Sequence, residues 1–125
     1  NPVSCAAALA SINYIKRKKL WRNAERMGKL ALGFLRDLQQ ECRLIGDVRG
    51  LGLMIGIELV KNRDTKLPAK EEAKAVLNKA FEKGLLLLGA GISTIRICPP
   101  LIINREQMEA GLEILRDVLK EVSRK

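Results

Sequence analysis

Apolar positions recur every three or four residues from Pro2 to about Lys18. Val3, Ala6, Ala7, Ala10 and Tyr14 fall on one stripe, which predicts a helix. Asn1 and Pro2 suit its N-cap and first helical position. The alanines make a thin face that can pack closely. A second stripe, Leu20, Ala24, Met27, Ala31, Phe34, Leu35 and Leu38, predicts helix from about Leu20 to Gln40. No proline or clear cap separates the two, so one kinked helix and two helices both fit the pattern.

The period changes at Ile45. From Leu51 onward the alternation is strict: Leu51, Leu53, Ile55, Ile57 and Leu59 on one face, Gly52, Met54, Gly56 and Glu58 on the other. That is a strand with a buried face and a glycine face open to close approach. A short strand or turn around Ile45 to Arg49 precedes it. Lys61 to Lys66 is a polar loop. Pro68 is expected to open a third helix with Ala73, Val76, Leu77, Ala80 and Phe81 inward, and Gly84 to close it in the left-handed conformation. Leu85 to Leu88 reads as a short buried strand and Gly89-Ala90-Gly91 as a loop. Ser93 to Ile97 is a second β-branched run, stopped by Pro99-Pro100, which lack N–H donors. Asn104, with Gln107 three residues on, predicts a capping box. It starts a last helix with Met108, Leu112, Leu115, Val118 and Val122 inward. The predicted order is α-α-β-β-α-β-β-α, an α+β fold with a short, mainly antiparallel sheet covered by helices.

The composition bounds this reading. The chain has 125 residues, enough for one domain with its own core. It is 47% hydrophobic and 30% charged, and no apolar run reaches the roughly 20 residues of a membrane span. Asn1 is not a methionine and no signal peptide is evident, so a fragment of a longer protein is expected. The formal charge of +9 raises nucleic-acid binding as a possibility. The four aromatics, Tyr14, Trp21, Phe34 and Phe81, all lie at helical core spacing, not on an exposed stacking platform. Lys16-Arg17-Lys18-Lys19 ends a helix, where cations oppose the dipole. Neither a nucleic-acid nor a membrane partner is therefore expected. Three unpaired cysteines, Cys5, Cys42 and Cys98, suggest free thiols in a reducing, cytoplasmic setting.

Chemistry is sparse. Histidine is absent, which removes imidazole bases, Ser-His triads and most zinc sites from this segment. The glycines from Gly46 to Gly56 do not lead into a helix N-terminus, so they make a poor phosphate loop. Asp47 and Arg49 share a face and can form a local ion pair or dock a partner. Glu58 is placed near the exposed end of its strand. No lysine has the desolvated surroundings of a covalent nucleophile. Arg96 is the exception that needs a reason. It is a permanent cation inside Ile95-Arg96-Ile97, on the face opposite both isoleucines, and either meets a carboxylate or lies in solvent.

Three stretches together carry a resemblance. Asn1-Pro2-Val3-Ser4-Cys5-Ala6-Ala7-Ala8, Gly46-Asp47-Val48-Arg49-Gly50-Leu51-Gly52-Leu53-Met54-Ile55-Gly56-Ile57-Glu58, and Ile95-Arg96-Ile97-Cys98-Pro99-Pro100-Leu101 resemble, in the same order, the C-terminal part of class III pyridoxal-phosphate-dependent aminotransferases, the 4-aminobutyrate and ornithine aminotransferase group. The resemblance covers essentially the whole chain. It implies one small C-terminal domain of a fold-type-I enzyme, with residues 1–18 as the helix connecting it to a large domain, and a homo-oligomer. It implies that Arg96 binds a substrate carboxylate or pairs with a large-domain glutamate. It implies transfer of an amino group from an amino acid or ω-amino acid to a 2-oxo acid, with pyridoxal 5'-phosphate held by residues that precede Asn1 in the family. No catalytic, cofactor-binding or metal-binding residue is assigned within the chain, and the segment alone is expected to hold no cofactor and to be inactive. Two alternatives stand beside it: an amino-acid racemase of the same family, and a stand-alone α+β binding module whose Gly52/Gly56 face is the contact surface.

Overall fold

The computed structural model describes residues 1–124. Helix α1 (Pro2–Lys18) opens as expected: the Asn1 side chain accepts hydrogen bonds from the amides of Val3 and Ser4. Helix α2 (Leu20–Glu41) is separate from it. Lys19 adopts the left-handed conformation, φ 50° and ψ 45°, which breaks the helical path. No residue of α1 is buried, so its alanine stripe packs against nothing among the described residues. Core spacing misplaces three of the four aromatics as well. Tyr14, Trp21 and Phe81 are exposed, and only Phe34 packs against the core. Periodicity reports that a face is apolar; it does not say that this segment contains what covers it.

Strands β1 (Ile45–Leu51) and β2 (Met54–Asn62) form an antiparallel hairpin. This shifts the expected boundary. The turn lies at Gly52-Leu53, with Gly52 at φ +56°, so Leu51 ends β1 and is exposed instead of starting the buried face of β2. A side chain at position 28 would be just as disruptive there. A Cβ on Gly28 of α2 would stand 2.1 Å from the Gly52 carbonyl oxygen, so helix and turn meet backbone to backbone.

Pro68 belongs to a two-residue strand β3 (Leu67–Pro68), paired with the end of β2, and helix α3 (Lys70–Glu82) begins two residues later. Gly84 closes α3 at φ +84°. The next strand also moves: Leu85 to Leu87 lie outside it, and β4 is Leu88–Ala90, with Leu88 exposed and Gly89 and Ala90 in the strand. β5 (Thr94–Ile97) and α4 (Arg105–Ser123) fall where the pattern places them, and Asn104 and Gln107 form the capping box.

The main sheet has the order β1-β2-β5-β4, every pairing antiparallel. One face carries Ile55, Ile57, Leu59, Ile95 and Ile97 into a core closed by Met27, Ala31 and Leu35 of α2, Val76 of α3, and Leu112, Leu115 and Leu119 of α4. Each isoleucine, leucine, valine or methionine among them contributes about 1.5–3 kcal/mol on burial. The fold is α+β, a layer of helices over one face of a small sheet. The opposite face is left open and carries the charged residues.

The arginine row and its comparison with known proteins

Arg96 projects from the open face because Ile95 and Ile97 on either side are buried, at 0% and 7% exposure. Register places it between Leu88 of β4 and Gly56 of β2, and Gly56 in turn lies opposite Arg49 of β1. One row across the sheet therefore reads Leu88, Arg96, Gly56, Arg49. Gly56 puts no side chain of its own between the two cations, although a Cβ there would meet the Thr94 methyl group at 3.3 Å.

Arg49 is the saturated member. Its guanidinium donates to Asp47 and to Glu58, each at 2.7 Å. The hydrogen bond to Asp47 is the main cause that raises its pKa above its ordinary value, followed by the one to Glu58. The expected local pair is thus formed, and extended: Glu58 is not at the strand's exposed end but half-buried, across from Asp47. Arg96 has no hydrogen bond or ion pair among the described residues.

Arg96 also borders a cavity of about 590 Å³ whose other walls include Leu85, Leu87, Cys98, Pro99, Met108 and Leu112. One cation beside an apolar hollow suits a molecule with a carboxylate at one end and a hydrocarbon body. The wall after β5 is fixed by a residue that sequence reasoning missed. Asn23 of α2 donates through Nδ2 to the carbonyls of Leu101 at 2.8 Å and Ile103 at 2.9 Å. An amide in the first turns of α2, beside the apolar stripe at Ala24, was the available signal. Arg63, assigned to a polar loop, is a second such residue. It donates to the carbonyls of Ile45 at 3.1 Å, Cys42 at 2.9 Å and Gln39, tying the end of α2 to the hairpin.

These residues do not make a pyridoxal phosphate site by themselves. No lysine lines the Arg96 cavity, and its one cation stands among apolar walls. The glycines of the β1–β2 hairpin lead into a strand, not a helix N-terminus, so they cradle no phosphate. Among the described residues no cluster of three potential metal ligands occurs, and no helix is long and apolar enough to cross a membrane.

Residues 1–119 match the family model described as Aminotransferase class-III. The chain belongs to this family. Among its relatives, the leucine/methionine racemase of Thermococcus litoralis is 45% identical, over 98% of this chain and 28% of that protein. The Bacillus subtilis protein named "Probable 4-aminobutyrate aminotransferase" is 41% identical, over 96% of this chain and 28% of that one. The fold agrees with that of an amine transaminase from an uncultivated Pseudomonas species, solved in its PLP-bound form. It has a TM-score of 0.91 at 29% identity, covering 97% of this chain and 28% of that structure. The chain thus spans just over a quarter of the length of these class III relatives.

Proposed function

We propose that this chain is the small C-terminal domain of a pyridoxal-phosphate-dependent enzyme that moves an amino group from an amino acid or ω-amino acid, of the 4-aminobutyrate kind, to a 2-oxo acid. The observation that carries the reading is the unpaired Arg96 at the mouth of an apolar cavity. Guanidinium matches a carboxylate with two parallel hydrogen bonds, and both amino donor and oxo acceptor bring one. Arg96 binds and orients that carboxylate, while the walls from Leu85 to Met108 exclude water from the hydrocarbon part. Pyridoxal phosphate, held by residues outside this chain, supplies the electron-sink chemistry.

Exposed apolar groups support a larger whole. Val3, Leu9, Ile12 and Tyr14 on α1, and Leu51 and Met54 on the open sheet face, are exposed, a surface of the kind that marks an interface. A large domain and a second subunit are its proposed cover, with α1 as the connection. All three cysteines are free, which supports a cytoplasmic setting. The isolated chain, supplied with pyridoxal phosphate, is expected to show no turnover.

One observation favours a second reading within the family: the 45% identical relative is a racemase. The test is to give the full-length protein a 4-aminobutyrate or α-amino acid donor with 2-oxoglutarate and follow amino transfer. In parallel, single enantiomers are incubated without acceptor and optical rotation is followed. Acceptor-dependent transfer supports the first reading. Loss of rotation without acceptor, and no transfer, replaces it with the second.

A further inference from the structure

Helix α4 lines the Arg96 cavity with Gln107, Met108, Gly111, Leu112 and Leu115. These recur at helical spacing and share one face, with Gly111 at its centre. We infer that Gly111 determines specificity: its missing side chain keeps the hollow open for the uncharged apolar body of a monocarboxylate substrate, of leucine's size or longer. The inference rests on the proposed function, in which Arg96 takes the substrate carboxylate.

A glycine inside a helix needs a reason, because it destabilises the helix relative to alanine. The usual reasons are absent at position 111. Its φ is not positive, so the backbone there suits any residue. Nor does another backbone press against it. A Cβ on Gly111 would meet only Leu85 Cδ1, at 3.5 Å, an ordinary van der Waals distance. Gly28 is the contrast, since a Cβ there would stand 2.1 Å from a carbonyl oxygen. Leu85 itself lines the same cavity. A longer side chain at position 111 would therefore extend into the hollow.

The walls name the occupant. Arg96 is the one charged side chain on the lining, and no acid stands there to pair with it. Gln107 accepts from the Asn104 amide at 3.2 Å, so its carbonyl is committed to the capping box. Leu85, Leu87, Pro99, Met108 and Leu112 are apolar. One carboxylate finds a partner. A second carboxylate or a distal ammonium group would lose its water and gain none. A hydrocarbon or thioether tail gains by burial, and about 590 Å³ lies within the range of small-molecule sites.

Straight-chain carboxylates from butyrate to octanoate carry the acid and the body but no amine. Their binding to the full-length protein loaded with pyridoxal phosphate is measured by calorimetry. In the wild type, affinity should rise about two- to fourfold per methylene. Gly111→Leu should leave butyrate within about twofold and cut the octanoate-to-butyrate affinity ratio about tenfold or more. Gly111→Ala should cut that ratio about twofold and melt no lower than the wild type; it carries the test should the leucine variant not fold. Affinity independent of chain length in the wild type, as when another part of the protein fills the hollow, overturns the inference. So does a chain-length gain that the Gly111 variants leave intact, or a Gly111→Ala melt well below the wild type, which assigns the glycine to packing. Arg96→Ala reports separately on the proposed function. It should weaken every carboxylate about tenfold or more, and unchanged binding there overturns that reading and this inference with it.

Discussion

Arg49 and Arg96 stand in one row on the open face of the same sheet, separated only by Gly56. Both are strand arginines in solvent-facing register, and both are exposed. Yet Arg49 holds two carboxylates at 2.7 Å and Arg96 holds none among the described residues. The difference is one of neighbours. Residue 47 on Arg49's own strand and residue 58 on the next are acidic, whereas Thr94, Cys98, Gly56 and Leu88 around Arg96 are not. A cation whose partners are supplied locally serves the hairpin. A cation denied any local partner is, on the proposed function, free to take a carboxylate from elsewhere.

The contrast is open to attack by experiment, and replacement of Arg96 is the strongest. In the full-length enzyme Arg96→Ala should lower kcat/KM for carboxylate substrates by roughly 30- to 150-fold, about 2–3 kcal/mol. Amine substrates without a carboxylate should be much less affected, and thermal stability should hold within about 0.5 kcal/mol. Arg96→Lys should lose about tenfold, because lysine cannot reproduce the bidentate fork. Steady-state kinetics on paired substrates, with a thermal melt, measure both; unchanged kinetics would return Arg96 to the solvent.

A backbone contact comes next. Gly28→Ala forces a Cβ against the Gly52 carbonyl at the tip of the hairpin that carries Arg49. Even with about 1 kcal/mol of helix propensity in its favour, a net loss of about 1–3 kcal/mol is expected in denaturant unfolding. Arg49→Ala should cost stability of at most about 1 kcal/mol, since Arg49 and Asp47 are well exposed and Glu58 is only half-buried, and little substrate discrimination. A specificity change as large as that of Arg96→Ala would erase the distinction between the two arginines.

The smallest effect is in acid. Glu121 of α4 is held below its ordinary 4.5, chiefly by the hydrogen bond from Lys79 and then by that from Lys83, both near the end of α3. Glu41 of α2 is lowered in the same way by Lys120 of α4. A depressed carboxylate stabilises the fold above its unfolded pKa and loses that contribution as pH falls through the folded value. The thermal midpoint should therefore fall slightly below about pH 4.5, and Glu121→Gln should flatten that limb. The contacts affected lie among the helices, so the arginine row should keep its register throughout.

The chain's own pattern carried a good deal of this. The helices, the capping box at Asn104, the break at Pro99-Pro100 and the α+β class follow from periodicity and backbone chemistry. So does the side of its strand on which Arg96 lies, because alternation is local. The family was legible too, in three motifs around Asn1, Gly46 and Arg96. What local pattern could not supply was pairing. Leu51 continues an unbroken alternation, but Gly52 turns the chain there, and a two-fold period looks the same within one strand or across a hairpin. Leu85 to Leu88 are four equal leucines, and only their pairing with β5 shows that the strand begins at the last of them. The aromatics at Tyr14, Trp21 and Phe81 mark apolar faces that stay exposed among the described residues. Asn23 reaches 78 residues along the chain to Leu101, a contact without a sequence period. Sequence determined which face of its strand Arg96 would occupy. Tertiary structure decided that Gly56 and Leu88, not an acid, would stand beside it, because cross-strand neighbours are chosen by register between distant segments.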